Sequence, residues 1–116
     1  MTGPNAADRR AQADIAARLA EVGFVLPGSL IERRMSCGKS GCRCQADPPR
    51  LHGPYHQWTR KIDRKTHTRR LTDDQAERYG PWFANGRHLR KLVTDLESLS
   101  LRIFEHAEGQ DPRQRR

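Results

Sequence analysis

Three cysteines fall within eight residues, in the string Cys37-Gly-Lys-Ser-Gly-Cys42-Arg-Cys44, and they are the only cysteines of this 116-residue chain. An odd number cannot pair off internally, so a disulfide framework accounts for them poorly. The two glycines let the backbone turn tightly, and three gathered thiolates supply three of the four ligands that a structural zinc ion takes. The fourth ligand is either His52, eight residues past Cys44, or His56, with Asp47-Pro48-Pro49-Arg50 as the loop that returns an imidazole to the sulfurs. Two other readings stand beside zinc: reduced thiols packed as small apolar groups, and a redox pair in which Cys37 and Cys42 close a short loop. A catalytic metal fits less well, because it needs an open coordination position beside a general base. Only Glu32 and Asp47 are near.

Composition gives the metal a purpose. The chain is 34% apolar and 6% aromatic, lean for a soluble domain, and a small domain short of apolar area can use a bound metal as a staple. No apolar run approaches the roughly 20 residues of a membrane span. The first twenty residues carry Asp8, Arg9, Arg10, Asp14 and Arg18 and no apolar core, unlike a secretory signal. Collagen, transmembrane and disulfide-scaffold classes are excluded, a membrane partner is not expected, and a reducing, cytoplasmic location is.

The formal net charge is +8, and all of it lies in residues 31–70, which hold eleven basic and three acidic residues, while both flanks are neutral. One basic block between neutral flanks predicts a surface that faces a polyanion. Gly38-Lys39-Ser40 imitates the tail of a phosphate-binding loop, but Arg33 stands where that motif needs its first glycine.

The apolar spacing predicts a helix over 5–22, with Ile15, Leu19 and Val22 on one face. Strands follow at 30–36, 55–62 and 66–71, the last two joined tightly at Asp63-Arg64-Lys65. Thr72 with Gln75 forms a capping box for a helix, which Gly80-Pro81 should interrupt, Pro81 opening a new one. Trp82, Leu89, Leu92, Leu96, Leu99 and Ile103 then make a heptad-like stripe, with Asn85 as its polar member. That stripe either packs on helix 5–22 or pairs two chains as a coiled coil. The expected fold is α+β: a small three-stranded antiparallel sheet with a Cys/His metal loop, flanked by an N-terminal helix and a long C-terminal helix. Its parts are an arm at 1–26, the metal loop and basic sheet at 27–71, C-terminal helices at 72–107 and a disordered tail at 108–116.

Pro27-Gly-Ser-Leu-Ile-Glu-Arg33, the Cys-Gly-Lys-x-x-Cys-x-Cys string, His52-Gly-Pro-Tyr55, the Lys65-Thr66-x-Thr68-Arg69 strand and Leu71-Thr-x-x-Gln-Ala-Glu-Arg-Tyr79 together resemble a family of short prokaryotic proteins classed as a domain of unknown function. The resemblance covers roughly residues 27–105. It implies that Cys37, Cys42, Cys44 and His52 form one metal-binding signature, favouring His52 over His56. It also implies an association with mobile elements, and it implies no enzyme activity. The family tends to carry glycine near Arg64, so the turn type here stays open. More loosely, the sheet is similar in architecture to the arm domains of some tyrosine recombinases, which lie in the DNA major groove.

The function expected is a zinc-stabilised nucleic-acid-binding module, for double-stranded DNA before RNA. Arg60, Lys61, Arg64, Lys65, Arg69 and Arg70 would meet phosphates, with Gln57 or His67 touching base edges. Six phosphate contacts would give a log–log salt slope of about −5. Trp58 and Tyr55 are either core residues or platforms for unpaired bases. The alternative is an adapter whose residues 81–106 form a homodimer or bind a recombinase. An enzyme is not expected, because the carboxylates of the basic block are scattered.

Overall fold

A computed structural model describes residues 3–109 and Arg113. Strands β1 (Ser29–Met35), β2 (His52–Ile62) and β3 (Lys65–Leu71) pair antiparallel in the order β1-β2-β3, with helix α1 (Ala6–Glu21) before them and helix α2 (Asp73–Glu108) after. The fold is α+β, as the sequence predicts. Two units divide the chain: Val25–Ala84, which holds the sheet, and Met1–Phe24 with Asn85–Arg116, which holds α1 and most of α2.

In the sheet unit, β2 and β3 are joined by Asp63 and Arg64, both with left-handed backbone (φ 51° and 69°). Two successive positive φ values make the two-residue turn whose twist matches that of the flanking strands. Asp accepts this conformation readily and Arg less so, so the turn forms here without the glycine that the resembled family tends to carry near this position. The register fixes which residues share a face: Trp58 lies opposite Leu30 on one side and Arg69 on the other, and His56 lies opposite Glu32 and Leu71. This face meets the start of α2. Phe83 and Leu71 are buried there, and the Trp58 ring meets Phe83 edge-on at 5.7 Å. The Trp58 Nε1 donates to the Pro27 carbonyl at 2.7 Å, so this Trp takes the core role of the two open to it.

A register shift between Arg33 and Met35 bends β1 where it leaves the sheet. Gly53 sits opposite at φ 118°, and a Cβ there would stand 2.7 Å from the Arg33 carbonyl. Only glycine satisfies that approach. With this bulge, β2 begins at His52, three residues earlier than the sequence predicts.

Helix α2 starts on the expected box: Thr72 Oγ1 accepts from the Gln75 N–H at 3.1 Å, and Gln75 Oε1 accepts from the Thr72 N–H at 2.9 Å. The break expected at Gly80-Pro81 does not occur, and a single helix runs through Pro81. A proline disfavours helical backbone in the residue before it partly by clashing with that residue's Cβ, and glycine has none. The missing hydrogen bond is the one to the Glu77 carbonyl, on an exposed residue that water can reach.

In the helical unit, α1 opens on a capping box the sequence reading missed: Asn5 Oδ1 accepts from the Asp8 N–H and Asp8 Oδ2 from the Asn5 N–H. The helices run antiparallel, since Asp8 lies 3.9 Å from Arg102 at one end and Asn85 Nδ2 donates to the Phe24 carbonyl at the other. Leu92 and Leu99 are buried, and Leu89, Leu96 and Ile103 are half-buried. The heptad-like stripe is therefore turned inward within the chain. None of the described helices is long and apolar enough to cross a membrane. The tail expected at 108–116 lies, past Gly109 and apart from Arg113, outside the described residues.

Pro81 is exposed, so replacing it removes the helix-interior cost without losing packing. Pro81→Ala should stabilise the protein by about 1–3 kcal/mol, read as a higher urea midpoint. A lower midpoint would show that the proline makes a contact beyond the helix backbone.

Candidate metal centre and basic hairpin

The loop between β1 and β2 folds back on itself. Cys37 lies two residues past Met35, Cys42 and Cys44 flank the start of a single 3-10 turn (Arg43–Gln45), and His52 is the first residue of β2. The turn is closed by the Gln45 and Ala46 N–H groups donating to the Cys42 and Arg43 carbonyls, and the Arg50 N–H also donates to the Arg43 carbonyl. As a result the three Sγ atoms and a ring nitrogen of His52 all lie within 4.8 Å of one another. Cys37 Sγ and Cys44 Sγ are 3.5 Å apart, and Cys42 Sγ and His52 Nε2 3.1 Å. A zinc tetrahedron has edges of about 3.8 Å between sulfurs and about 3.6 Å between sulfur and nitrogen. The Cys37–Cys44 and Cys42–His52 separations fall within about half an ångström of these edges, and the remaining ones within about an ångström, so the donor set fits a metal ion.

Electrostatics favour the same use. The Cys37 N–H donates to Cys44 Sγ at 3.2 Å and holds that thiol down at about 6 from its ordinary 9.0, against burial and helped by the Cys37, Cys42 and His52 side chains. These contacts favour the thiolate form of Cys44. The Lys39 backbone draws Cys37 down, but the Cys44 and Cys42 thiols, desolvation and repulsion from Cys42 together leave it raised. A metal would displace that proton. Gln45, which the sequence reading missed, donates from Nε2 to the Cys37 carbonyl at 2.7 Å and lies 3.6 Å from Cys44 Sγ. Outer contacts of this kind orient metal ligands; the only sequence signal was its adjacency to Cys44.

His56, the other candidate ligand, is not in the cluster. Its Nε2 pairs with Asp73 Oδ1 at 3.0 Å, tying β2 to the first turn of α2. The cluster holds three thiols and one imidazole and no carboxylate, the four N/S donors that a structural tetrahedral site takes.

The basic hairpin lies at the far end of β2. Eleven residues separate His52 from Ile62 inclusively, a span of about 34 Å at the rise of an antiparallel strand. Residues 61–70 are all exposed. The six basic residues singled out from the sequence do not share one face, because side chains alternate along each strand. Arg60, Lys65 and Arg69 share the helix side with Trp58, and the Arg60 guanidinium lies 4.5 Å from the Trp58 ring. Lys61 and Arg70 point to the opposite face with Tyr55, Gln57, Thr59, Thr66 and Thr68, and Arg64 caps the turn. Arg33, paired with Tyr55 in the ladder, joins that outer face, as the sequence could not show without the register. Arg70 stacks on Tyr55 at 4.0 Å. None of the six is in an ion pair among the described residues.

Fold and site define a small α+β domain built around a Cys3His cluster. Residues 6–80 match the model of the domain of unknown function DUF6788, and the chain belongs to that family. The match takes in α1, the whole sheet and the cluster, and stops before most of α2. No curated protein and no solved structure matches the chain.

Elemental analysis of the desalted protein checks the ligand set. The parent chain should carry about one metal per molecule, His56→Ala should keep it, and Cys44→Ser or His52→Ala should lose most of it. Retention by His52→Ala with loss by His56→Ala would reverse the assignment.

Proposed function

We propose that this chain is a zinc-stabilised module that binds double-stranded DNA through its β2–β3 hairpin, serving as an accessory to a mobile element. The observation that carries the reading is the exposed ribbon from Lys61 to Arg70, whose cations have no carboxylate partner among the described residues. Unpaired guanidinium and ammonium groups on a narrow ribbon repel one another, and a polyanion relieves that repulsion. A two-stranded ribbon also matches the width of the DNA major groove, about 12 Å.

The alternation of side chains divides the work. Lys61 and Arg70 on the outer face, with Arg64 and Lys65 at the tip, neutralise phosphates. Gln57, Thr59 and Thr68 lie between them on the same outer face, where hydroxyls and an amide can meet base edges. Arg60 and Arg69, on the helix side beside Trp58, contribute less. Trp58 is packed against Phe83 and the outer-face Tyr55 ring is covered by the Arg70 guanidinium at 4.0 Å, so both aromatic platforms are already engaged, which favours a duplex over a single strand.

Zinc is the ion that suits three thiolates and an imidazole in a closed tetrahedral set. Its role is structural: it ties the end of β1 to the start of β2 and so holds the register that sorts the hairpin's residues between the two faces.

With about four phosphates neutralised, the log–log salt slope for a duplex should be near −4. Arg64→Ala with Lys65→Ala should reduce its magnitude by about 2, while Arg69→Ala should leave it nearly unchanged. A titration showing no duplex binding at low salt, salt-independent binding, or tighter binding to single strands overturns the proposal.

A further inference from the structure

The inward turn of the α2 stripe leaves the opposite side of the helix without a neighbour among the described residues of the helical unit. Residues 93, 97, 101 and 104 recur at helical spacing on that outer side, where Val93, Leu101 and Phe104 are 42%, 57% and 58% exposed. Charge is ordered along the same side. Arg87 and Arg90 lie toward its beginning, and Glu105 and Glu108 toward its end. None of these four takes part in an ion pair among the described residues.

We infer that this outer face of α2 is a self-association surface, on which a second copy of the chain packs antiparallel about a two-fold axis near residue 97. A parallel arrangement would set Arg87 and Arg90 against their own copies. The antiparallel one sets Arg87 beside Glu108 and Arg90 beside Glu105 of the second copy, each pair occurring twice by symmetry. Between these polar ends Leu101 packs beside Thr94, and Val93 and Phe104 flank the axis. An apolar centre within a charged rim is how such surfaces are built. Glu97 meets its own copy near the axis, an unfavourable neighbour that weakens the pair. The face is small against the roughly 800 Å² per partner of a standard interface, so association falls on the order of micromolar. The second copy is preferred to a different protein because both charged ends and their complements are present on one helix.

Sedimentation equilibrium of the full chain and its variants tests this, with circular dichroism to confirm helix content. The parent should dimerise. Arg87→Glu with Arg90→Glu, and separately Glu105→Arg with Glu108→Arg, should each weaken the dimer by roughly tenfold or more. All four substitutions in one chain should restore it, because the antiparallel pairs become opposite again. Glu97→Gln should tighten the dimer and Phe104→Ala loosen it. A monomeric parent well above micromolar concentration, or a dimer that the fourfold charge exchange fails to restore, overturns the inference.

Discussion

The closure of the Cys37–His52 loop upon itself is the constraint on which the sheet depends. The loop leaves β1 at a bulge and returns as the first residue of β2, so whatever holds its four donor atoms together also sets the register of the two strands. A sheet whose helix-side core rests on Leu71, Phe83 and a half-buried Trp58 has little apolar area with which to set that register alone. Sliding β2 by one residue would exchange its two faces, sending Trp58 outward and Gln57 into the contact with α2. The cluster and the hairpin lie at opposite ends of β2, yet they are linked through this alternation.

The elements with local signals were the most legible in the sequence. The Thr72–Gln75 box, the three strands and the first helix come within a few residues of their observed bounds, because capping and periodicity act over one turn or one strand. The Cys3His set was legible from residue type. The choice of His52 over His56 was not settled by spacing: both could reach the thiols, and the His56 contact with Asp73 joins residues 17 positions apart. Gly80-Pro81 misled because proline's rule as a helix opener carries no information about whether the preceding turn is already helical.

The split of the basic residues shows the same limit. Six cations within eleven positions read as one patch in a linear string, but strand alternation sends Arg60, Lys65 and Arg69 to one side and Lys61 and Arg70 to the other. Alternation along a single strand is legible from sequence. Which face is covered, and which β1 residue joins it, required the ladder: Arg33 enters the outer face only through its pairing with Tyr55. Trp58 was ambiguous for a related reason, since an aromatic on a short strand suits a core or a ligand equally until a partner such as Phe83 is seen.

The two units differ in how the chain supplies them. The sheet unit is one uninterrupted stretch, Val25–Ala84, whereas the helical unit joins the residues up to Phe24 with those from Asn85 onward. During synthesis the hairpin and the cysteine loop can therefore complete themselves on the ribosome, while α1 waits unpaired until α2 has emerged. Its Ala-rich sequence and Asn5 cap suit a helix that must survive that interval with few long-range contacts.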